Sequence, residues 1–335
     1  MKYEVTAIGN CVIDYFILAK SQIIKNHIRK DNHPDYLAYV YGDKIGVEEF
    51  TDDMGGESCN AAVALKKIGI NSSIASVIGD DIYSRDLLKK LKKEKIGIRF
   101  LAKEKNKKLG ISFILLGPDR DRTILAYREK NNFKKINYKK LFSSSKSFYF
   151  AGINKYSSCI QDKLLEHIKK TNKPLYLNPS IFQIEKTPVI LKKIMVHSEL
   201  FCVNIEEAKK ILNINTSNRD VKKDVKKILK EIKKLGPKIV IITDSVRGSY
   251  AYDGDLFLKS GIYPSERVDT TGAGDSFFAG FVAAYKKGYN IERCLKYGTI
   301  NASGVVSKYG AQRGLLNEKE IIKRFNKNKV RVSKI

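Results

Sequence analysis

The sequence lacks the cysteine and histidine spacings that are typical of small disulfide-rich folds and of metal sites. Its five cysteines are widely spaced, odd in number and form no Cys-x-x-Cys pair, which argues against a disulfide framework and against a zinc site. The four histidines lie apart and match no metal-ligand spacing. We therefore expect a protein that works in a reducing cytoplasm.

Long hydrophobic runs are also missing. No apolar stretch approaches the length of a membrane span, and Glu4 and Asp14 interrupt or bracket the one early apolar segment, so we expect neither a membrane anchor nor a signal peptide. No internal repeat or low-complexity linker is evident apart from a general lysine bias. With 43% hydrophobic residues among 335, the chain can bury a full α/β core.

Acidic residues are outnumbered by basic ones, 36 against 63, which gives a net charge of +27. Such an excess can indicate a nucleic-acid or acidic-membrane partner. The lysines, however, are scattered through helix-like stretches such as 220–230, where Val221, Val225 and Ile228 mark one apolar face. No zinc-finger spacing or RNA-binding signature accompanies them. We interpret the charge as a solvated surface that helps to attract an anionic substrate such as a nucleotide, and we expect no nucleic-acid partner.

Strand-like and helix-like segments alternate along most of the chain. β-formers with period two or short apolar runs predict strands, and three- and four-residue spacing predicts helices. The strands are expected at 3–8, 72–78, 147–150, 174–177, 200–203 and 239–243, and the helices at 60–68, 86–94, 161–170, 205–212 and 221–235. This order predicts an α/β fold with a mainly parallel central sheet covered on both faces.

Two segments break the alternation. Residues 45–51, and 110–116 with 122–127, read as strands joined by polar turns without a crossover helix, which predicts a small separate sheet suited to a lid. We expect one domain over residues 1–335, with lid segments at about 11–20, 45–54 and 98–128. Residues 21–44 form a polar insertion whose fold the pattern does not predict.

The stretch Val268-Asp-Thr-Thr-Gly-Ala-Gly-Asp-Ser-Phe-Phe-Ala-Gly-Phe281 places small residues ahead of an apolar helical run, so a helix begins near Asp275. A helix start carries unpaired N–H groups and partial positive charge, and Gly272, Ala273 and Gly274 leave those groups accessible to an anion. We call these three residues the anion cradle. The alternative is an ordinary cap, with Asp275 accepting from its own first turn.

Other polar residues cluster at predicted strand ends and helix starts. Asp14 follows the first strand, and the pair Gly55-Gly56 with Asn60 opens the first long helix. Parallel strands bring their carboxyl ends to one edge, where α/β sheets bind ligands. Asn204 and Glu207 also fit a simple capping box. The remaining candidates at strand ends are Asn178, Thr243 and Gly248.

The segment Asp269-Thr-Thr-Gly-Ala-Gly-Asp275 resembles the signature of the ribokinase-like (PfkB) family of sugar and nucleoside kinases. Gly55-Gly56 with Asn60, Asn204 with Glu207, and Lys308-Tyr-Gly310-Ala-Gln add to the resemblance, which spans Gly9 to Gly314. It implies a three-layer α/β/α core with a small β lid. It also implies transfer of the γ-phosphoryl group of ATP to a primary hydroxyl.

The resemblance implies a role for each matching position. Asp275 is the general base, and the anion cradle stabilises the transferred charge. Glu207 binds Mg²⁺ through water, beside Asn204. The acceptor would contact Asp14, Gly55, Gly56 and Asn60; the nucleotide would lie near Asn178, Asn204, Thr243, Gly248 and Asn301; and K⁺, found in many relatives, would lie at Asp269, Thr271 and Gly310.

Two arginines of the expected lid strand, Arg122 and Arg128, could reach a phosphate or a substrate carboxylate by a forked contact, or could lie on a solvated strand face. The sequence also departs from the family here, because 129–132 replaces the usual glycine-containing segment after this strand. That change affects the acceptor contacts expected from the loop.

Three functions remain open from the sequence. The glycine pair and the lid strands favour a sugar kinase. The opening Ala7–Asn10 and the insertion at 21–44 also resemble nucleoside kinases, with adenosine as the obvious acceptor and with Tyr15, Phe16, Tyr36 and Tyr39 available to stack a base. A retired kinase fold that binds nucleic acid or regulates another protein is the third. A homodimer and a monomer are both compatible with the lid strands.

Overall fold

The computed structural model describes residues 2–25, 35–118, 121–130, 132–214 and 221–335, without the side chains of 221–224. Residues 26–34 of the expected insertion, Asn131 of the segment 129–132, and the side chain of Val221 lie outside this description. No helix in these ranges is long and apolar enough to span a membrane.

Sixteen strands lie in the described ranges. In chain order they are β1 (Val5–Ile8), β2 (Val12–Ala19), β3 (Gln22–Ile24), β4 (Tyr36–Ala38), β5 (Val47–Gly55), β6 (Ser72–Ile78), β7 (Gly97–Lys103), β8 (Gly110–Leu116), β9 (Arg122–Tyr127), β10 (Phe148–Phe150), β11 (Leu175–Leu177), β12 (Leu200–Asn204), β13 (Ile239–Thr243), β14 (Ser249–Tyr252), β15 (Phe257–Ser260) and β16 (Val332–Lys334).

Eleven α-helices lie in the same ranges. They are α1 (Glu57–Lys67), α2 (Ile82–Lys93), α3 (Tyr138–Ser144), α4 (Cys159–Thr171), α5 (Ile181–Lys186), α6 (Pro188–Met195), α7 (Ile205–Ile211), α8 (Val221–Lys234), α9 (Ala273–Lys286), α10 (Ile291–Val305) and α11 (Glu318–Asn326). Short 3₁₀ turns occur at Phe133–Lys135, Lys155–Ser157 and Ser245–Arg247.

A ten-stranded sheet forms the centre of the molecule, in the order β16-β15-β14-β13-β12-β11-β10-β1-β6-β7. The pairs from β13 to β7 are parallel, and the pairs from β13 to β16 are antiparallel. One buried apolar cluster packs α1, α9 and α10 on one face, and a second packs α4, α6 and α8 on the other. The predicted α/β fold with a mainly parallel sheet and helices on both faces is confirmed.

A separate four-stranded sheet has the order β5-β2-β8-β9, and we call it the small sheet. It contains the strands expected from segments 11–20 and 45–54. The expected segment 98–128 divides, because β7 pairs in parallel with β6 in the large sheet and only β8 and β9 join the small one. Phe100 of β7 is buried, and its ring contacts the ring of Tyr3. The sequence pattern within β7 does not predict this contact.

Candidate functional site

The N-terminus of α9 is shaped as an open cradle. Gly272 precedes the helix with φ +74°, and a Cβ on it would lie 2.5 Å from the Ala311 Cβ, so glycine is required there. A Cβ on Gly274 would meet open space. No side chain among the described residues caps this helix end. The ordinary cap, with Asp275 accepting from its own first turn, is not seen among the described residues. The Ala273 N–H donates to the Thr270 carbonyl at 3.2 Å, and Gly274 is exposed at this helix start.

Asp275, in the first turn of α9, contacts a neighbouring helix instead of its own backbone. Its Oδ2 accepts a hydrogen bond from Nδ2 of Asn60 in α1, at 2.9 Å. Asn60 Oδ1 in turn accepts from Nε2 of Gln312, at 2.9 Å, and Gln312 also donates to the Met54 carbonyl at 2.8 Å. Gln312 thus fixes which end of the Asn60 amide faces Asp275.

The environment of Asp275 favours a proton-accepting carboxylate. Burial raises its pKa above the ordinary aspartate range, the Asn60 hydrogen bond lowers it in part, and the nearby Asp14 carboxylate raises it again. A carboxylate with a raised pKa is a stronger base than free aspartate and still ionised near neutral pH.

Asp14 lies on β2, opposite Asp53 of β5 in the antiparallel register. Its carboxylate occupies space that only a glycine at position 55 leaves open, because a Cβ there would lie 2.0 Å from Asp14 Oδ2. Burial raises the Asp14 pKa to about 6, against a hydrogen bond from Ser112. Gly56 follows directly as the residue preceding α1. The structure therefore brings together Asp14, Gly55, Gly56 and Asn60, the four expected acceptor contacts.

Asn204 and Glu207 form a complete capping box at the start of α7. Asn204 Oδ1 accepts from the Glu207 N–H at 2.9 Å, and Glu207 Oε2 accepts from the Asn204 N–H at 2.8 Å. Glu207 is half-buried, and burial and the proximity of Asp275 raise its pKa. Carboxylates of this kind supply the oxygen donors that Mg²⁺ prefers, so the residues fit a water-bound magnesium site beside the cradle.

Asp269, Thr271 and Gly310 lie within hydrogen-bonding reach of one another. Asp269 Oδ1 accepts from the Thr271 N–H at 2.9 Å and from its Oγ1 at 2.8 Å. Asp269 Oδ2 accepts from the Gly310 N–H at 3.0 Å. These bonds brace the segment that leads into the cradle against the loop before α11.

A cavity of about 260 Å³ opens beside the cradle. Thr243 and Gly248 line it, as expected for the nucleotide side, and Ala273 and Gly274 form one end. The sequence reasoning missed the rest of the lining. These residues include Tyr263, Ser265, Arg267, Phe277, Thr299, Ala302, Ser303 and Val306.

Asn178, Asn204 and Asn301 do not line this cavity, which sets three expected nucleotide contacts apart from it. Asn301 is fully buried, donates to the Ser276 carbonyl at 2.8 Å and accepts from the Leu316 N–H at 3.2 Å. The reason is helical geometry: the cavity-facing row of α10 contains Thr299, and position 301 points about 200° away from it. Asn178 donates to the Cys202 carbonyl at 3.0 Å and accepts from the Tyr149 hydroxyl.

Arg122 and Arg128, at the start of β9 and just after its end, donate hydrogen bonds to different parts of the structure. Arg122 donates through a terminal nitrogen to Thr270 Oγ1 at 2.5 Å, so the small sheet reaches the segment leading into the cradle. Arg128 donates to the carbonyls of Ile111 and Tyr127, each at 3.1 Å, and to Ser112 Oγ at 3.2 Å. These three bonds lie inside the small sheet, and the positive charge of Arg128 also lowers the pKa of the site carboxylates Asp14 and Glu57. Glu129 ties the following loop to Lys108 and Tyr127.

Glu57 is a further site residue that the sequence reasoning missed. Its carboxylate accepts from the Gly152 N–H at 2.5 Å, and burial together with Asp275 raises its pKa. Gly152 must lack a side chain, since a Cβ would lie 2.1 Å from Glu57 Oε2. The sequence shows an acidic residue directly after a glycine pair at a helix start, but its contact with Gly152, 95 residues away, could not be read from it.

The sequence matches a family model described as pfkB family carbohydrate kinase over residues 23–318. The ATP-dependent 6-phosphofructokinase of Thermoanaerobacterium thermosaccharolyticum is 26% identical over 277 residues, covering 79% of this chain and 82% of that protein. The nucleoside kinase of Methanocaldococcus jannaschii is 24% identical over 334 residues, which cover 98% of each chain.

The structure is similar to Arabidopsis thaliana ribokinase complexed with ribose and ATP. The TM-score is 0.75 at 18% identity, with 97% of this chain and 99% of that chain covered. At this identity the similarity shows the fold, and the ribokinase-like architecture implied by the sequence signature is confirmed.

Proposed function

We propose, from the premise that this chain belongs to the pfkB family of carbohydrate kinases, that it transfers the γ-phosphoryl group of ATP to a primary hydroxyl of a sugar. Kinases of this family are phosphotransferases that act on sugar or nucleoside hydroxyls, so membership fixes the reaction class. That the acceptor is a sugar and not a nucleoside is a narrower claim than the reaction class, and it is part of our proposal.

The observation that carries the proposal is the position of Asp275. It sits in the first turn of α9, next to the open cradle, and Asn60 and Asp14 lie on its acceptor side. In the reaction, Asp275 takes the proton of the acceptor hydroxyl, the oxygen bonds to the γ-phosphorus, and the bond to the β-γ bridging oxygen breaks to release ADP. The cradle N–H groups of α9 stabilise the charge on the transferred group.

Each remaining residue has a binding or orienting role. Thr243, Gly248 and the newly found lining residues of the cavity would bind the nucleoside part of ATP. Glu207, beside Asn204, would hold Mg²⁺ through water, and the ion would neutralise phosphate charge. The acceptor would lie against Asp14, Gly55, Gly56 and Asn60. No step is assigned to K⁺; we retain Asp269, Thr271 and Gly310 as its proposed site because they brace the cradle.

We also propose that the small sheet acts as a lid over a single catalytic domain. Arg122 supports this role, because it connects β9 to Thr270 at the cradle. All five cysteines are free, which is why we place the protein in the cytoplasm.

A nucleoside kinase is the second candidate, because the Methanocaldococcus jannaschii nucleoside kinase matches along 98% of both chains. The two aromatic residues of β2 that could stack a base do not support it. Tyr15 points to the face of β2 opposite Asp14 and stacks between Phe50 and Phe113, so it is turned away from the acceptor side. Phe16 shares the face of Asp14 but is buried with Ile114 and Leu116. These positions favour a sugar.

The test is ADP release by purified protein with Mg²⁺-ATP across ribose, fructose, other hexoses and a set of nucleosides, with and without K⁺. Sugar-dependent ADP release supports the proposal and identifies the acceptor. Release that depends on adenosine or another nucleoside would replace it with the second candidate. ATP binding without acceptor-dependent turnover across the panel contradicts both.

A further inference from the structure

A second cavity, of about 340 Å³, opens at the edge of the large sheet where three parallel strands begin. Of its lining residues, Lys173 lies just before β11, Glu199 precedes β12 and Lys238 precedes β13. Thr243, which lines the nucleotide cavity, is the last residue of β13. The two cavities therefore lie at opposite ends of the same strands, and the second one is separate from the catalytic site.

Most side chains that line the second cavity are polar or charged. They are Asn172, Lys173, His197, Ser198, Glu199 and Lys238. Two ammonium groups thus accompany one carboxylate among the described lining residues, so the lining carries a net positive charge. A concave surface with an excess of one charge concentrates ions of the opposite sign.

Glu199, the carboxylate of this lining, offsets that charge only in part. Its Oε1 accepts a hydrogen bond from the hydroxyl of Tyr285 in α9, at 2.9 Å. The same oxygen lies 3.8 Å from Nζ of Lys238, which is too long for a hydrogen bond. The Lys238 side chain is 73% exposed, so its ammonium group is free to turn towards a ligand.

Lys173 pairs with no carboxylate in the described ranges. Its Nζ donates to the carbonyls of Phe142 and Ser145, at 2.6 and 2.7 Å. A lysine ammonium group has three donors, so one remains for a ligand. Burial lowers the Lys173 pKa, and the neighbouring charge of Lys2 lowers it further. An anion bound beside Lys173 would relieve that repulsion.

The positive charge extends beyond the lining. Burial lowers the pKa of Lys286 at the end of α9, Glu4 and Glu199 raise it, and Lys146 lowers it again. Glu4 is itself engaged, because its Oε2 accepts from the Asn71 N–H at 2.9 Å. The described charges that act on the lining or on its neighbours are those of Lys2, Lys146, Lys173, Lys238 and Lys286 against Glu4 and Glu199.

We propose that this cavity is a second binding site, which takes a small molecule carrying a phosphate group. Phosphate offers several acceptor oxygens to the free donor of Lys173, the ammonium group of Lys238 and the side-chain amide of Asn172. The cavity volume of about 340 Å³ lies in the range of small-molecule pockets. The proposal goes beyond the kinase reaction and does not depend on it.

The test is a calorimetric titration of the purified chain with sodium phosphate. The catalytic site is first filled with the Mg²⁺ complex of a non-hydrolysable ATP analogue, so that phosphate cannot bind at the anion cradle. Sodium chloride at the same ionic strength is the control for general screening of the lysines. We expect saturable binding of one phosphate per chain and no saturable binding of chloride.

Lys173→Met places the phosphate in this cavity. Loss of one charge-assisted hydrogen bond should raise the Kd for phosphate about tenfold or more. Lys163→Met is the matched control, since it removes an exposed lysine of α4 that lies outside the cavity lining. We expect its Kd to equal that of the wild type.

Glu199→Gln tests the same site in the opposite direction. Glutamine keeps an oxygen that can accept from Tyr285 but removes the negative charge that faces the ligand. The Kd for phosphate should therefore fall about fivefold, a tighter binding that a misfolded variant would not give. Absence of saturable phosphate binding by the wild type, or a Kd that neither Lys173→Met nor Glu199→Gln alters, would overturn the proposal.

Discussion

The Nδ2 atom of Asn60 lies 2.9 Å from Oδ2 of Asp275, although the two residues are 215 positions apart in the chain. This bond joins the first turn of α9 to α1, and through Gln312 it is anchored to the Met54 carbonyl at the end of β5. The base, the acceptor side and the small sheet are therefore held by one chain of hydrogen bonds.

Gln312→Met tests that chain. The variant keeps similar volume but leaves the buried Met54 carbonyl and Asn60 Oδ1 without their donor, which should cost about 1–3 kcal/mol of unfolding free energy. We also expect kcat to fall about tenfold, since Asp275 depends on an oriented Asn60. Gln161→Met, at a buried glutamine bonded to Thr187, is the control. Equal kcat values for the two variants would argue against orientation by Gln312.

The pH dependence of kcat/KM should reveal the environment of Asp275. Its pKa is raised to about 6, mainly by burial. Because the base acts when ionised, activity is present above this pH and is lost as the pH falls through it. Asn60→Ala removes the contact that lowers this pKa, so the acid limb should move to higher pH. A limb near the ordinary aspartate range, unchanged by the variant, would contradict the assignment.

Gly55→Ala should impair acceptor binding selectively. The new Cβ would meet Asp14 Oδ2 at 2.0 Å, so the carboxylate must move. We expect KM for the acceptor to rise about tenfold or more with the Kd for ATP unchanged, because the nucleotide cavity does not include this residue. Gly46→Ala, where a Cβ meets nothing within 4 Å, is the matched control. An unaltered KM in Gly55→Ala would remove Asp14 from the acceptor site.

Glu207→Gln tests whether the negative charge of Glu207 is needed for magnesium binding, apart from the role of this side chain in capping α7. Glutamine at this position can still complete the capping box at the start of α7, because its side-chain amide oxygen can accept from the Asn204 N–H. We expect the Mg²⁺ concentration at half-maximal activity to rise, with the unfolding free energy nearly unchanged. A magnesium titration that superposes on that of the wild type would show that Glu207 acts only as a cap.

Local patterns predicted much of the fold because the buried helices and strands follow apolar periodicity closely. The strands at 72–78 and 239–243 and the helix entering at the cradle are examples. The position of β7 was not predictable, since it is set by pairing with β6 and by packing contacts such as that of Phe100 with Tyr3, which lie outside its own segment. Pairing between segments is a tertiary property that periodicity within one segment does not encode.

The candidate site, like the fold, was predictable from the sequence only in part. Gly272, Gly274 and Asp275 stand in one motif, so their joint placement could be read from it. The Asn60 contact and the contact of Glu57 with Gly152 arise only when separate elements pack together. Asn301 was placed on the wrong face of α10 because its residue type was weighed without the helical phase.

The most direct test of the account is Asp275→Asn, measured with the acceptor that the wild type phosphorylates. Removing the general base should reduce kcat by about a hundredfold or more while the Kd for ATP stays within about twofold of the wild-type value. Asp162→Asn, at an exposed position of α4, is the control. A variant that keeps near-full turnover would contradict the role of Asp275 and the reaction derived from it.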